Sequence, residues 1–271
     1  PVYMLFLIPV VVLVGIGFYM VYESIIKNTS FYKDYKKDII YRLIKYINPT
    51  LRYDKKHYIS TAEYFNSGFF TKESVRVEGD DHVSGAIDDV NVEFSELKVS
   101  YKRPSDKQKF KSENQFHGIF FVADCPKPFP ADLIIEPVNH PSQPSDVLLP
   151  IKHEEFNSNF RVRLPGRDYM FQAQEMMTKD FLDKIVTLKH QTTNEIHLSF
   201  IYNKMYVAIV HDKDLFEPSV WSPVNNFDSI MIHFKDLYVP IAVVEHLAAH
   251  KEFELSDERE EHVSSKATAG V

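Results

Sequence analysis

The chain opens on an unbroken apolar run. Val2 to Tyr22 contains no charged residue, and Glu23 is the first charge. About 20 apolar residues in a helix rising about 1.5 Å per residue cross a hydrocarbon core about 30 Å thick. The pattern therefore predicts a transmembrane helix over residues 1–23. Pro9, Gly15 and Gly17 fall inside the run; they are tolerated in lipid, where helical hydrogen bonding within the segment satisfies the backbone. Tyr3 at one end and Tyr19 and Tyr22 at the other suit the two interfaces. A signal peptide would start basic, be shorter and end at a small-residue cleavage site. A buried core helix would be shorter and amphipathic. Because the chain starts at Pro1 and not at Met, a further segment upstream is expected.

The next pattern is helical and amphipathic. Phe31, Tyr35, Ile39, Leu43 and Ile47 recur every four residues, with Ile40 and Ile44 beside them. Ser30 is placed to cap the helix and Pro49 to stop it after Asn48. The polar positions are basic: Lys27, Lys33, Lys36, Lys37, Arg42 and Lys45 stand against Asp34 and Asp38. Lys and Arg flanking a span are retained in the cytoplasm. Residues 24–48 are thus expected to form a basic juxtamembrane helix. The six basic residues are candidates for a membrane surface, each worth about 1 kcal/mol near anionic lipid. The competing reading packs the apolar face on the domain and leaves the lysines solvated.

Period-two patterns then dominate. A short helix over 60–69, capped by Ser60 or Thr61, precedes strands at Ser74–Val77, Val83–Ile87 and Val90–Tyr101, with Gly79-Asp80-Asp81 and Asp88-Asp89 as turns. Val92 and Phe94 alternate on one phase, and Leu97, Val99 and Tyr101 on the other, which predicts a β-bulge or bend at Ser95-Glu96. Arg103 to Asn114 reads as a loop. His117 to Ala123 is continuously apolar and reads as a central strand buried on both faces. Leu133–Glu136 and Phe160–Leu164 are short strands on either side of a long Pro-rich loop, Pro137 to Pro150. A helix over Gln172–Lys189 leads to a hairpin of Ile196–Tyr202 and Met205–Val210 turning at Asn203-Lys204. A last helix is expected from Phe227 to His250, interrupted before Pro240. No strict β-α alternation occurs, so a doubly wound parallel sheet is not expected. The expected class is α+β: a transmembrane helix, then a strand-rich soluble domain over 49–250 with amphipathic helices, then an acidic, partly disordered tail over 251–271.

Composition narrows the chemistry. The net charge of −7 argues against nucleic acid, which needs a basic face. Cys125 is the single cysteine, so no intrachain disulfide forms. The eight glycines are scattered, with no phosphate-cradling loop and no nucleophile elbow. His246 and His250 share a helix face but lack the glutamate of H-E-x-x-H and further ligands. Glu78, Asp80, Asp81, Asp88, Asp89, Glu93 and Glu96 cluster without calcium-loop spacing. Lys127 lies near Cys125, yet most lone cysteines act as small hydrophobes. Trp221, between Pro218 and Pro223, is a candidate for a partner surface. No catalytic residue, cofactor or metal is assigned.

Several segments together carry a resemblance: FYKDYKKDII and INPTLRY, YFNSGFF, EGDDHVSGAIDDVNVEFSEL, FHGIFFVADCPKPF, FNSNFRV at 156–162, IHLSFIYNKMYVAI and DLFEPSV. In this order, over roughly Phe31 to His250, the chain resembles the bacterial family known as domain of unknown function 3137. The resemblance implies a short cytoplasmic helix, two closely spaced spans and then this domain, so that Val2–Tyr22 would correspond to the second span. It implies an inner (cytoplasmic) membrane location with the domain in the cytoplasm. It also suggests a LemA-family protein as partner, because the two families are often encoded side by side. It implies no activity and no site residues. The expected function is a membrane-anchored scaffold that contacts membrane lipid and assembles with itself or another membrane protein. The alternative is an enzyme or small-ligand receptor whose site is assembled from distant residues.

Overall fold

The long alternating and apolar runs fold into one sheet. The computed structural model describes residues 16, 35–69, 75–87, 90–103, 111–141, 147–217 and 227–243. The predicted span, apart from Ile16, and the acidic tail lie outside the described residues. Among the described residues no helix is long and apolar enough to cross a membrane.

Nine strands are described: β1 Arg52–Asp54, β2 Val75–Ile87, β3 Val90–Arg103, β4 Lys111–Asp124, β5 Leu133–Pro137, β6 Val147–Leu149, β7 Phe160–Leu164, β8 Ile196–Ile201 and β9 Lys204–Val210. They form a single sheet in the order β1-β2-β3-β4-β9-β8-β5-β7-β6. Every described pairing is antiparallel. The two edge strands are three residues long, and such short edges resist pairing with other chains. The helices are α1 Tyr41–Ile47, entered through a π-turn at Lys36–Ile40, then α2 Thr61–Asn66, α3 Glu154–Asn159, α4 Met170–Met176, α5 Lys179–His190 and α6 Phe227–Val243. The α+β, strand-rich class expected from the sequence is the one observed.

Both sheet faces are covered, unequally. On one face Val92, Phe94, Ile119, Phe121, Leu198 and Phe200 pack with Ile40 and Ile44 of the first helix and with Phe156, Phe181, Ile185 and Leu237. On the other, Leu97, Val99, Phe116, Phe120 and Tyr206 pack under Tyr64 of α2, Ile59 and Phe69. Strand β4, buried on both faces, separates the two cores, as its continuous apolar run predicts. Ser60 caps α2 by accepting from the Glu63 N–H at 3.2 Å. Gly68, at φ 67°, ends that helix in the left-handed conformation glycine favours.

The structure corrects several boundaries. Gly79-Asp80-Asp81 does not reverse the chain, and β2 runs through it. The pairs Asp80↔Glu96 and Val83↔Phe94 leave one extra residue on β2, a bulge with Asp81 at φ 56°. The phase change on β3 is no bulge in β3. Its even positions Val92 and Phe94 line the first core, and its odd positions Leu97 and Val99 line the second. The slip belongs to β2, whose Val75 and Val77 face the second core while Val83 and Ile87 face the first. The expected loop from Arg103 is strand again by Lys111. The Pro-rich loop holds edge strand β6, and a short helix, α3, capped by His153, precedes β7.

The predicted helix over Gln172–Lys189 is two helices. Met177 breaks the turn, and Thr178 caps α5 by accepting from the Phe181 N–H at 3.2 Å. The hairpin turns one residue early, at Tyr202-Asn203, because Ile201 pairs with Lys204; Tyr202 takes φ 53°. Helix α6 runs through Pro240 without interruption.

Candidate functional site

The first helix carries the chemistry of the most charged buried region. Its apolar residues repeat every four positions, yet the buried stripe is Tyr35, Ile40 and Ile44. The π-turn explains the step of five: the Tyr41 N–H donates to the Lys36 carbonyl, widening the helix by one residue. That turn carries Lys36 onto the buried side, where the residue is 8% exposed.

There the Lys36 ammonium meets three carboxylates. It lies 2.6 Å from Asp81 Oδ2, 2.9 Å from Glu217 Oε1 and 3.2 Å from Asp80 Oδ2. Asp80 and Asp81 come from the β2 bulge. The bulge lets two successive carboxylates approach one ammonium, which regular alternation would forbid. Tyr53 of β1 donates its hydroxyl to Asp81 Oδ1. Burial opposes the charge on Lys36, but Asp81, Glu217 and Asp80 outweigh it and push its pKa up. Burial pushes Asp81 up to about 6 despite the ammonium.

A second part adjoins the first. Glu96 of β3 is 6% exposed. Its Oε1 lies 2.8 Å from Nε2 of His117 on β4, and its Oε2 accepts from the Leu215 N–H at 2.9 Å. Asp214 stands 3.6 Å from His117 Nε2. Burial pushes Glu96 up to about 8, against the Leu215 N–H, with Asp80, Asp81 and Asp214 adding to the rise. Burial lowers the His117 pKa. Burial thus favours the uncharged forms of both Glu96 and His117, while Asp81 faces the Lys36 ammonium. Gly118, beside His117, lets β9 close in: a Cβ there would lie 2.0 Å from the Ile209 carbonyl oxygen. The whole is a clasp. It ties the first helix, the β1–β3 corner and the 211–217 segment together through charge.

The predicted membrane-surface residues separate. Lys36 does not face outward, because three carboxylates hold it inside the domain. Lys45 donates to the Pro49 and Leu51 carbonyls at 2.9 and 2.7 Å and closes the link to β1. Lys37 and Arg42 are exposed, on the same outer side as Tyr41 and Tyr46, the last 80% exposed. Lys27 and Lys33 lie outside the described residues, as do Asp88, Asp89, Trp221, His246 and His250. Of the remaining acidic cluster, Glu78 pairs with Arg76 at 2.7 Å and Glu93 with His82 at 3.0 Å. Cys125 is buried, and burial pushes its thiol up to about 12. Two open pockets, of about 520 Å³ beside Thr50, Arg52, Glu93 and Asp124 and about 550 Å³ beside His153 and Lys179, include none of the clasp residues. Sequence reasoning missed Tyr53, His117, Asp214 and Glu217. The signal that pointed to this place was the phase change at Ser95-Glu96, which lies opposite the β2 bulge.

A family model described as "Protein of unknown function (DUF3137)" matches residues 114–249. The chain belongs to this family. The match begins within β4, so it takes in the His117 half of the clasp and leaves Lys36, Asp80, Asp81 and Glu96 outside the matched residues of this DUF3137 chain. The crystal structure of the mycobacterial trehalose monomycolate transport factor A, TtfA, is similar over 78% of this chain and 95% of that chain, at 9% identity and a TM-score of 0.38. A likeness that low carries no argument about function. No curated protein matches the chain.

Proposed function

We propose that the chain is a membrane-anchored scaffold, held at the cytoplasmic face of a bacterial membrane by the apolar helix over 1–23 and assembling with itself or with a second membrane protein. The observation that supports this reading is the docking of the basic helix. The helix that follows the span is part of the domain core through Ile40 and Ile44, each at most 1% exposed, and is locked by the Lys36 clasp. A helix held this way is part of the domain, so its outer side is presented in a fixed direction relative to the sheet. The outer side of the same helix offers Lys37, Arg42, Tyr41 and Tyr46, the residue types that sit at a lipid headgroup layer. Short edge strands turn assembly toward helix faces and loops rather than strand addition.

The test is the size and composition of the native particle. Membranes are solubilised in mild detergent, the protein is isolated without cross-linking, and the particle is sized by chromatography with mass spectrometry. A stoichiometric assembly, with itself or with a second membrane protein such as a LemA-family member, supports the scaffold. A lone monomer refutes it.

A further inference from the structure

The thinly covered sheet face changes character from β9 toward β7. Over β3, β4 and β9 it is apolar, under α2. On β5 the residue two beyond Ile134 is Glu136, 1% exposed, paired with Arg161 at 2.7 Å and Arg163 at 3.4 Å. Ile135 pairs with Leu198, so the neighbouring His197 of β8 lies level with Glu136; it is 1% exposed. Glu195, two residues before His197 and so on the same side of the strand, places Oε1 2.8 Å from His197 Nε2. Strand β5 ends at Pro137, whose carbonyl accepts from the His140 N–H at 2.9 Å. That turn brings the His140 ring edge-on to His197, with centroids 5.0 Å apart. One ligand atom from each of His140, Glu195 and His197 lies within 4.8 Å of the other two.

We propose that these three residues form a binding site for a divalent transition-metal ion of the zinc type, with a fourth position open to solvent. Two imidazoles and a carboxylate are a zinc donor set. Glu136 is neutralised by the two arginines, so the carboxylate left to meet a cation is Glu195. Tetrahedral ligands about 2.0 Å from zinc stand roughly 3.3 Å apart. Closing the site takes small rotations of His140, on a turn, and Glu195, whose side chain is 48% exposed. His197, fixed by burial, is the anchor. Glu195 reaches solvent, so water is available as a fourth ligand.

The experiment uses the full chain in detergent, without an affinity tag and stripped of metal by chelator. Calorimetric titration with zinc chloride reads stoichiometry, and cobalt(II) replacing zinc reads geometry from its visible absorption. The expected result is one equivalent of zinc and the intense bands of four-coordinate cobalt. His140→Gln and Glu195→Gln, both at accessible positions, should each weaken zinc binding by about 100-fold or more, with unchanged circular dichroism. His57→Gln, at an exposed pair far along the chain, should keep it. Absence of stoichiometric uptake, or uptake unchanged in both site variants, overturns the proposal. Uptake abolished by His246→Ala with His250→Ala but retained in the site variants also overturns it.

Discussion

Replacing Lys36 by Met removes the ammonium and keeps the length of the side chain. Three carboxylates then lose their partner, but they do not weigh equally. The side chains of Asp80 and Glu217 are 44% and 24% exposed, so solvent screens them. Asp81 has a side chain with no exposure and, among the described residues, keeps the Tyr53 hydroxyl. The cost is that of one buried carboxylate without its counter-charge, about 3 kcal/mol, at the low end for a broken buried pair. For a domain of this size that lowers Tm by roughly 6–12 °C. The pH dependence carries the signature. The pKa of Asp81 is already raised to about 6 in the folded chain. Removing Lys36 raises it further. For a carboxyl group raised on folding, the stabilising contribution is complete below its unfolded pKa and is lost as pH rises through the folded value. The deficit of Lys36→Met should therefore be about 3 kcal/mol at pH 8 and shrink by at least half near pH 4.5 as the carboxylates take up protons. Urea denaturation followed by far-ultraviolet circular dichroism across that range measures it. A deficit below about 1 kcal/mol, or one that does not change with pH, refutes the clasp and returns Lys36 to the surface.

Three further outcomes are expected. Glu96→Gln matches the protonated carboxyl in shape, so it should remove the loss of stability that wild type shows as pH rises from about 4.5 toward the folded value of about 8. The variant should be more stable than wild type at pH 8 by a few kcal/mol and no more stable at pH 4.5, as read by thermal denaturation at each pH. Gly118→Ala should cost more than about 4 kcal/mol or prevent folding, because its Cβ would overlap the Ile209 carbonyl in the middle of the sheet; expression yield and circular dichroism check this. Lys37→Gln with Arg42→Gln, in a chain lacking residues 1–23, should weaken binding to anionic vesicles by about 2 kcal/mol in a sedimentation assay. Equal binding by the double variant would remove the outer side of the helix from the lipid contact.

Part of this architecture is legible in the pattern of side chains. The apolar run of β4 marks a strand buried on both faces, because a strand with an exposed face would alternate. Ser60 and Gly68 mark the two ends of α2, because cap chemistry is local to a few residues. The β8–β9 hairpin is readable to within one residue, since the two strands share a short turn. What the pattern misplaces is phase. The two periods on β3 are equally those of a bulged strand and of a straight strand covered on opposite faces at its two ends. The partner strand decides between them, and the bulge sits on β2, where Asp81 takes a left-handed backbone.

The sequence by itself determined most of the longer strands and helices, the β8–β9 hairpin to within one residue, and that a basic amphipathic helix follows an apolar run. These rest on local backbone preference and on the period of burial, which neighbours a few residues apart express. Only the tertiary structure decided the fate of the charges. Whether a lysine is solvated or buried depends on the carboxylates that reach it, and those of Lys36 come from residues 44 and 45 positions away and from the 211–217 segment. The π-turn that aims Lys36 inward follows the same logic, a local irregularity stabilised by a distant partner. His140, Glu195 and His197 meet because a strand register and a turn bring two remote histidines to one face, and no spacing along the chain records that meeting.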